Sequence, residues 1–521
     1  MTETEIAAEL PNELPNELPN EVPNEVPTQV AAEIPSVRTD AIEPAAPARA
    51  DRPLPPGGPA AVAERVRAAL GPVLPEHGRG QAAFDELAAL VVAETVHASH
   101  PHTAAHLHCP TLPVAVAADT LVAALNPSMD SWDQCAAPSV IEDELIRALA
   151  GLCFGDRATH PGGAVTTGGS ESNLMALLFA RDELIRRAYD IDPAEDGIPG
   201  YAAGRLRILC SAVSHFSIAR SAALLGLGER AVVPVPVGPD HSMDPQALER
   251  IAARLVGDGD RIIAVVGTAG TTDAGAIDPL EACGRVAHKY GAWFHVDGAY
   301  GGALIFSDVL RDALHGVATA DSVTLDLHKF GWQPIPAGVL LCRDRAAFGT
   351  LTRRVAYLSA LDDERAGYPN LLDRSLRTTR RADAIKIVAT CQALGRSGLA
   401  ALIERCFALT AHVAAALRKH PDFELDREPA LTTVLFRYRA RHGDPDQVNA
   451  ALRRRLLTDG TAIIGRTELP AVGNTTGAGG AARPGSLRLK LTLVNPETSS
   501  TDLDRLIELI AAAGAAEDKT R

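Results

Sequence analysis

Apolar and polar residues follow two different periods through the middle of the chain. Short apolar runs such as RIIAVVG, AWFHVD and SVTLD predict buried strands. Longer segments such as ESNLMALLFARDELIRRA and DPQALERIAARLV repeat their apolar residues every three or four positions, which predicts amphipathic helices. Because strands that alternate with helices favour βαβ units, we predict an α/β fold with a mostly parallel central sheet.

The pattern changes towards both ends of the chain. Proline recurs at every fourth residue near the N-terminus and disrupts helical hydrogen bonding, so residues 1–58 are predicted to be a disordered tail rich in Pro, Glu and Asn. Helical periodicity then predicts an N-terminal helical segment over residues 59–130. Residues 131–395 are predicted to form the large domain, and residues 396–521 a smaller C-terminal α+β domain.

Composition narrows the possible partners of the protein. The formal net charge of −15 over 521 residues argues against a nucleic-acid partner or an anionic membrane surface. No uninterrupted apolar run approaches the roughly 20 residues that a membrane span needs. The eight cysteines are scattered, which is typical of reduced thiols, and the first residues lack the pattern of a secretory signal. We therefore expect a cytoplasmic protein.

A histidine-rich loop, HPHTAAHLHCP, raises the question of a metal site. It contains His100, His102, His106 and His108. Their spacing matches no standard ligand pattern, and no partner set of cysteines and histidines follows downstream. We predict that no metal is bound.

Two segments have residues suited to an anionic or aromatic ligand. In TTGGSESNLMALL, Gly168 and Gly169 allow close approach of the backbone, and Ser170 begins a predicted helix whose free N–H groups favour an anion. A simple capped helix is the alternative interpretation. In SAVSHFSIARS, His215 follows a predicted strand, where its flat ring is able to lie against an aromatic cofactor or to form a local hydrogen bond.

Two ionisable residues end neighbouring predicted strands. Asp297 closes the apolar strand AWFHVD, and a carboxylate buried there must be paired or neutral. A protonated ring nitrogen would supply the partner, although a structural aspartate in a turn is the alternative. Lys329 follows the strand SVTLD among few other charges. Because a buried lysine is costly without a task, its position favours a covalent role over that of a surface lysine.

Together, these segments resemble the group II amino-acid decarboxylases that depend on pyridoxal 5′-phosphate (PLP). The most specific marks are the pair His328–Lys329 and the segments HVDGAYGG and SHFSIARSAALLG. The resemblance covers residues 60–515. It implies the aspartate-aminotransferase-like fold of fold type I PLP enzymes, and a small-molecule amino-acid substrate. It also implies a homodimer with active sites near the subunit interface.

The resemblance also implies how the cofactor is held. The residue that matches Lys329 binds PLP as a Schiff base, and the one that matches Asp297 pairs with the pyridine nitrogen. His215 and Ala299 match residues on the two faces of the ring, and Thr268 matches a threonine beside it.

The phosphate contacts are carried over from the same resemblance. Gly169, Ser170 and His328 match residues that contact the phosphate group. Asp326 stands where some relatives have asparagine near this phosphate. Since an acid would repel the phosphate unless it pointed away, we expect Asp326 to lie outside the site.

Three stretches narrow the resemblance further. LNPSMDSWDQ, HKFGWQPIPAG and YPNLLDRSLRTTRRADAIK are similar to the L-2,4-diaminobutyrate decarboxylases and to the lysine decarboxylases of siderophore pathways. We therefore expect a diamino-acid substrate whose distal ammonium is bound by Asp130, with Asp133 as a second candidate. Lys490 is the candidate for the substrate carboxylate. Tyr368 or His328 is the candidate acid that protonates the carbanion.

Other functions remain open at this stage. The same cofactor site would serve a decarboxylase of lysine, aspartate, glutamate or an aromatic amino acid, or a transaminase or aldehyde synthase. A nicotinamide-dependent oxidoreductase is disfavoured because no strand is followed by GxGxxG with a later acidic residue. A non-catalytic scaffold is disfavoured because Lys329 and Asp297 are both present.

Overall fold

The computed structural model describes residues 51–520 except residues 354, 356, 359 and 469–486. The predicted disordered tail, residues 1–58, therefore lies outside the described residues up to residue 50. The helices of the described part are α1 (Gly58–Leu70), α2 (Gln81–Ala93), α3 (Pro113–Leu125), α4 (Trp132–Cys135), α5 (Ala137–Phe154), α6 (Gly169–Tyr189), α7 (Gly200–Ala203), α8 (Ser217–Leu224), α9 (Pro245–Gly257), α10 (Leu280–Lys289), α11 (Leu361–Arg365), α12 (Ala384–Lys419), α13 (Pro445–Asp459) and α14 (Ser500–Lys519). The strands are β1 (Thr103–Ala104), β2 (Gly162–Thr166), β3 (Leu206–Ser211), β4 (Val232–Val235), β5 (Arg261–Thr268), β6 (Trp293–Gly298), β7 (Ser322–Asp326), β8 (Gly338–Cys342), β9 (Phe423–Leu425), β10 (Thr433–Tyr438), β11 (Ile463–Glu468) and β12 (Leu487–Thr492).

Seven strands form the large sheet, in the order β2-β8-β7-β6-β5-β3-β4. The neighbours from β7 to β4 are parallel, and β8 runs antiparallel to both β7 and β2. Strands β5, β6 and β7 are buried almost throughout because apolar clusters cover both faces of the sheet. The predicted α/β fold with a mostly parallel sheet is confirmed.

A second sheet of five strands has the order β1-β11-β12-β10-β9. Its pairs are antiparallel except for β1 with β11. Apolar residues of α12, α13 and α14, among them Leu417, Leu452 and Leu506, pack with those of its strands in one cluster. This is the α+β pattern expected for the C-terminal part of the chain.

The predicted domain limits stay predictions. Strand β1, from the segment 59–130, pairs with β11, so this segment contributes to the second sheet. The limit between residues 395 and 396 falls within α12, at Gly395, whose φ of 66° interrupts the helical conformation. Among the described residues, 66–93 form a compact unit separate from residues 51–65 and 94–520.

Helix α12 is the one helix of the described residues that is long and apolar enough to cross a membrane by length and composition alone. A core helix passes the same test. Ile403 and Leu417 are fully buried, and they belong to the apolar clusters of the large and the small sheet respectively. We therefore interpret α12 as a core helix.

Candidate active site

Asp297 lies near the carboxyl end of β6, in the middle of the parallel part of the large sheet. It is 4% exposed and pairs in register with Thr268 of β5 on one side and Thr324 of β7 on the other. Its Oδ1 accepts a hydrogen bond from the Ala299 amide at 3.1 Å, and its Oδ2 accepts one from Nδ2 of Asn173 at 2.9 Å. Both carboxylate oxygens therefore have a partner in fixed positions.

Asn173 of α6 connects Asp297 to two neighbouring strands. Since its Nδ2 faces the carboxylate, its Oδ1 is the atom that accepts hydrogen bonds from Thr324 (3.1 Å) and from Nε2 of His295 (2.9 Å). Burial lowers the pKa of His295 to about 4, so the ring is neutral near pH 7 with its proton on Nε2. Nδ1 of His295 then accepts from the Ser322 hydroxyl at 2.8 Å.

His215 lies between the large sheet and α8. Its Nδ1 is 2.9 Å from the hydroxyl of Ser217, which itself accepts from Nδ2 of Asn173, so the serine proton points to the imidazole. The pKa of His215 is lowered, mainly by burial. The negative charge of Asp297 opposes this shift, and the positive charge of Lys329 adds to it. The imidazole is thus near both ionisable groups that the sequence singled out.

Lys329 lies in the turn that follows β7. Its Nζ is 2.8 Å from Oδ2 of Asp326, and its backbone amide donates to the Asp326 carbonyl at 3.0 Å. Nε2 of His328 is 3.7 Å from the same carboxylate oxygen, and burial lowers the pKa of His328. Sequence reasoning left Asp326 outside the site, whereas the structure brings its carboxylate against Lys329.

A glycine loop at the N-terminus of α6 lies against this turn. Gly168 has a φ of 149°, which favours glycine, and a Cβ built on it would be 3.3 Å from Cε1 of His328. A Cβ on Gly169 would be 3.0 Å from Cβ of Ala299 and 3.1 Å from Oδ2 of Asp326. The loop therefore approaches both strand ends closely, and its role in binding a phosphate stays a prediction.

Thr268 ends β5 beside Asp297. Its hydroxyl is 3.3 Å from that of Ser214, and its amide donates to Oδ2 of Asp278 at 2.8 Å. The other oxygen of Asp278 accepts from the Met243 amide at 2.7 Å, and burial raises the pKa of Asp278 to about 7. Asp278 therefore fixes the backbone that carries Thr268.

Four further predicted residues have no described contact with Asp297 or Lys329. Ser170 is exposed at the start of α6. Tyr368 is 49% exposed, and its ring packs edge-on against Trp132 at 5.3 Å. Nζ of Lys490 donates to the Thr272 carbonyl and to Asp273, each at 3.1 Å. Asp130 is 7% exposed, and its Oδ1 has no hydrogen-bond partner among the described residues.

The histidine-rich loop does not gather metal ligands in the described structure. His100 Nδ1 accepts from the His102 amide at 3.0 Å, and Nδ1 of His102 is 3.2 Å from the Thr461 carbonyl. Within the described residues, no group of three or more His, Cys, Asp or Glu side chains is placed to hold a metal ion.

Sequence reasoning missed Asn173, His295 and Ser217. Asn173 stands three residues after Ser170, as a polar residue among apolar ones, and it is fully buried. An amide on the buried face of a helix requires partners, and that requirement was the available signal. Its partner Asp297 is 124 positions away in the chain, so the pairing itself was not readable from local pattern.

Comparisons with known proteins identify the family of the chain. A family model described as the pyridoxal-dependent decarboxylase conserved domain matches residues 64–439. An L-2,4-diaminobutyrate decarboxylase of Acinetobacter baumannii is 36% identical over 463 residues, which are 86% of this chain and 87% of that protein. One of Rhizobium meliloti (strain 1021) is 39% identical over 440 residues, 84% of this chain and 83% of that protein.

A solved structure is similar over nearly the same length. It is the glutamate decarboxylase domain of diaminobutyrate-pyruvate transaminase and L-2,4-diaminobutyrate decarboxylase from Vibrio parahaemolyticus. The TM-score is 0.78 at 35% sequence identity, with 89% of this chain and 91% of that chain covered.

Proposed function

The chain belongs to the family of pyridoxal-dependent decarboxylases, and we propose that its substrate is a diamino acid such as L-2,4-diaminobutyrate. The protein is thus a PLP-dependent amino-acid decarboxylase, a lyase that converts an L-amino acid to its amine and CO2. For diaminobutyrate, loss of CO2 from the α-carbon leaves 1,3-diaminopropane. The names of the relatives from Acinetobacter and Rhizobium support this substrate.

The residues at the ends of β6 and β7 fit PLP. A buried carboxylate, Asp297, is held at two oxygens and suits a protonated ring nitrogen. The amine of Lys329 suits the aldehyde, and the loop at Gly168 and Gly169 suits the phosphate because any side chain there would fill the space beside Ala299 and His328. A carboxylate at the end of β6 and an amine in the turn after the adjacent strand β7 are together the observation that carries the proposal.

When bound, PLP supplies a ring that takes up the electron pair of the broken bond between the α-carbon and the carboxylate. Asp297 would keep the proton on the ring nitrogen, and Asn173 holds the carboxylate of Asp297 in place. Lys329 would bind the cofactor covalently, and His215 and Ala299 would flank the ring. Thr268 would border it.

Protonation of the α-carbon requires a donor after CO2 has left. His328 is the first candidate, because Nδ1 accepts from the Ala337 amide at 3.3 Å and the proton of the neutral ring is therefore on Nε2. Tyr368 is the second candidate, and its exposed position requires that its segment move towards the cofactor.

Substrate recognition needs a cation site and an anion site. Asp130 is proposed for the distal ammonium because its buried Oδ1 has no partner among the described residues. Lys490 is proposed for the substrate carboxylate, which would replace the Thr272 carbonyl and Asp273 as its partner. Ser170, exposed at the N-terminus of α6, is proposed to contact the phosphate.

A homodimer in the cytoplasm is part of the same proposal. Leu87, Val91 and Val92 of α2 are 45%, 54% and 62% exposed, and such apolar residues on one helix favour burial against another subunit. Light scattering of the purified protein tests this point. We expect the mass of two chains, and the mass of one chain would contradict the dimer.

A panel of amino acids tests the function. The purified enzyme is incubated with 2,4-diaminobutyrate, ornithine, lysine, aspartate, glutamate and aromatic amino acids, and each product is identified by mass. We expect CO2 and 1,3-diaminopropane from 2,4-diaminobutyrate at the highest kcat/KM. A keto acid or aldehyde product would contradict decarboxylation, and preference for an acidic or aromatic amino acid would contradict the substrate.

Asp130 provides a sharper test of substrate recognition, with Asp133 as a matched control on the same segment. Asp130→Asn should raise the KM for diaminobutyrate about tenfold or more, as loss of a charged hydrogen bond does. Asp133→Asn, at an exposed position, should leave KM within about twofold. Equal effects of the two substitutions would argue against Asp130 as the ammonium site.

A further inference from the structure

The carboxylate of Asp326 has an unusual set of neighbours. Its side chain is 3% exposed, and Oδ2 is 2.8 Å from Nζ of Lys329. Its Oδ1 is buried and has no hydrogen-bond partner among the described residues. The turn itself is closed by backbone atoms, since the Lys329 amide donates to the Asp326 carbonyl, so the turn does not require the carboxylate.

We propose that Asp326 is a positioning residue that binds the ammonium form of Lys329 whenever the lysine nitrogen carries no cofactor. The inference rests on the proposed function, in which Lys329 is the residue that binds PLP. A buried ammonium without a counter-charge is costly. The carboxylate of Asp326 therefore receives the amine that the substrate displaces and keeps it in place.

The other ionisable groups around the pair do not replace this contact. His328, on the same turn, and His215, on the loop before α8, have pKa values that burial lowers, so both are neutral near pH 7. Asp297 of β6 is held by Asn173 and Ala299. The glycine loop before α6 presents only backbone to Asp326. The ammonium of Lys329 is therefore the cation that faces the carboxylate.

The contact has a consequence for the reaction of apoenzyme with PLP. The ammonium of Lys329 first loses one proton to solvent. The neutral amine then adds to the aldehyde carbon, a C=N bond replaces the C=O bond, and the carbonyl oxygen leaves as one water. Because the ion pair between Lys329 and Asp326 has to break before the amine adds, the contact slows this reaction.

The test measures the rate at which full-length apoenzyme binds its cofactor covalently. The cofactor is removed with hydroxylamine, saturating PLP is added, and the rate of absorbance change from the cofactor–lysine bond is recorded at one fixed pH. In Asp326→Asn, this rate should rise about tenfold, as expected when a charged hydrogen bond that opposes the reaction is lost. Asp326→Glu, which keeps the charge, should restore a rate close to that of the wild type.

Controls separate this role from structural damage. Asp308→Asn removes an exposed carboxylate, paired with Arg396, and should leave the loading rate unchanged. Asp326→Ser is a second neutral variant in case Asp326→Asn does not fold. An unchanged or lower loading rate in the folded neutral variant would overturn the proposal.

Borohydride reduction and peptide mass mapping distinguish failure of this inference from failure of the proposed function. If the reduced cofactor is found on Lys329 and the loading rate does not respond to substitution of Asp326, only the present inference is wrong. If the cofactor is found on another lysine, the proposed site itself is wrong.

Discussion

Two aspartates at the carboxyl ends of adjacent parallel strands differ in how their charges are balanced. Asp297, in β6, has a donor for each carboxylate oxygen, from the Ala299 amide and from Asn173. Asp326, at the end of β7, has the Lys329 ammonium at one oxygen and no partner among the described residues at the other. One carboxylate is immobilised by the fold, and the other depends on a flexible lysine side chain.

This difference separates two tasks within one cofactor site. A carboxylate that is held by neighbouring amides is preorganised to stabilise a charge at a fixed position, which suits a ring nitrogen that stays in place through turnover. A carboxylate that is satisfied by a side-chain ammonium suits a group that binds and leaves. The position after β7 is therefore the one at which covalent attachment and release are expected.

The largest effect on catalysis should come from removal of Lys329, the partner of Asp326. Lys329→Ala is expected to abolish the covalent attachment of PLP and to lower kcat on the order of 10⁴-fold or more, as loss of a covalent catalytic group does. Turnover by product mass and cofactor absorbance are the measurements. Lys289→Ala, at an exposed lysine paired with Glu249, is the control and should retain both signals. Normal turnover in Lys329→Ala would contradict the different roles assigned to the two strand ends, because Lys329 would not be the residue that binds the cofactor.

The second largest effect on catalysis should come from Asp297, whose carboxylate is held at both oxygens. Asp297→Asn replaces an acceptor pair by one acceptor and one donor, so either the Ala299 amide or the Asn173 amide faces another donor. The variant also lacks the charge that keeps the ring nitrogen protonated. We expect kcat to fall by about 10² to 10³, as on loss of one preorganised electrostatic group. A loss below threefold would show that Asp297 has no part in stabilising the charge.

Asn173 should affect both stability and catalysis. Asn173→Ala leaves Asp297, Thr324 and His295 each short of a buried partner, which should lower the free energy of unfolding by about 1–3 kcal/mol and also reduce kcat. Asn449→Ala is the matched control, because Asn449 is a buried asparagine that binds the backbone of the second sheet. The control should lose stability by denaturant unfolding and keep its kcat. Equal kcat values in the two variants would contradict the orienting role of Asn173.

The smallest predicted effect concerns the pH dependence of stability. Burial lowers the pKa of His295 from 6.5 to about 4, so between these values the unfolded chain binds a proton that the folded chain does not. The wild type should therefore lose about 2 kcal/mol relative to His295→Phe as the pH falls from 7 to 5. Urea unfolding of both proteins at each pH measures the difference. A pH-independent difference would mean that His295 is not buried as a neutral ring.

Much of the fold was predictable from local pattern. The alternation of strands and helices predicted the parallel sheet, and the apolar runs ending in Asp297 and before Lys329 predicted two of its strands, β6 and β7. The antiparallel direction of β8 was not predicted, because strand direction depends on the path of the connecting segment. The pairing of β1 with β11 joins segments about 360 residues apart in the chain, which no local period indicates.

The sequence suggested candidate cofactor ligands, but it did not suggest the residues that hold them in place. Glycine, aspartate and lysine residues near strand ends indicate a cofactor site by their chemistry alone. The bonds between Asn173, His295 and Ser322 depend on which side chains face each other across α6 and the sheet. Asp326 was excluded by an electrostatic argument that considered the phosphate and overlooked the nearby ammonium of Lys329.

The sequence by itself determined the order of the elements and the kinds of groups at the strand ends, because periodicity and residue chemistry are local properties. Only the tertiary structure decided which oxygen of each aspartate is satisfied and by which donor. Those partners come from distant parts of the chain and meet only when α6 packs on the sheet. These long-range contacts set the balance of charge at the buried site. They also determine the different roles of Asp297 and Asp326.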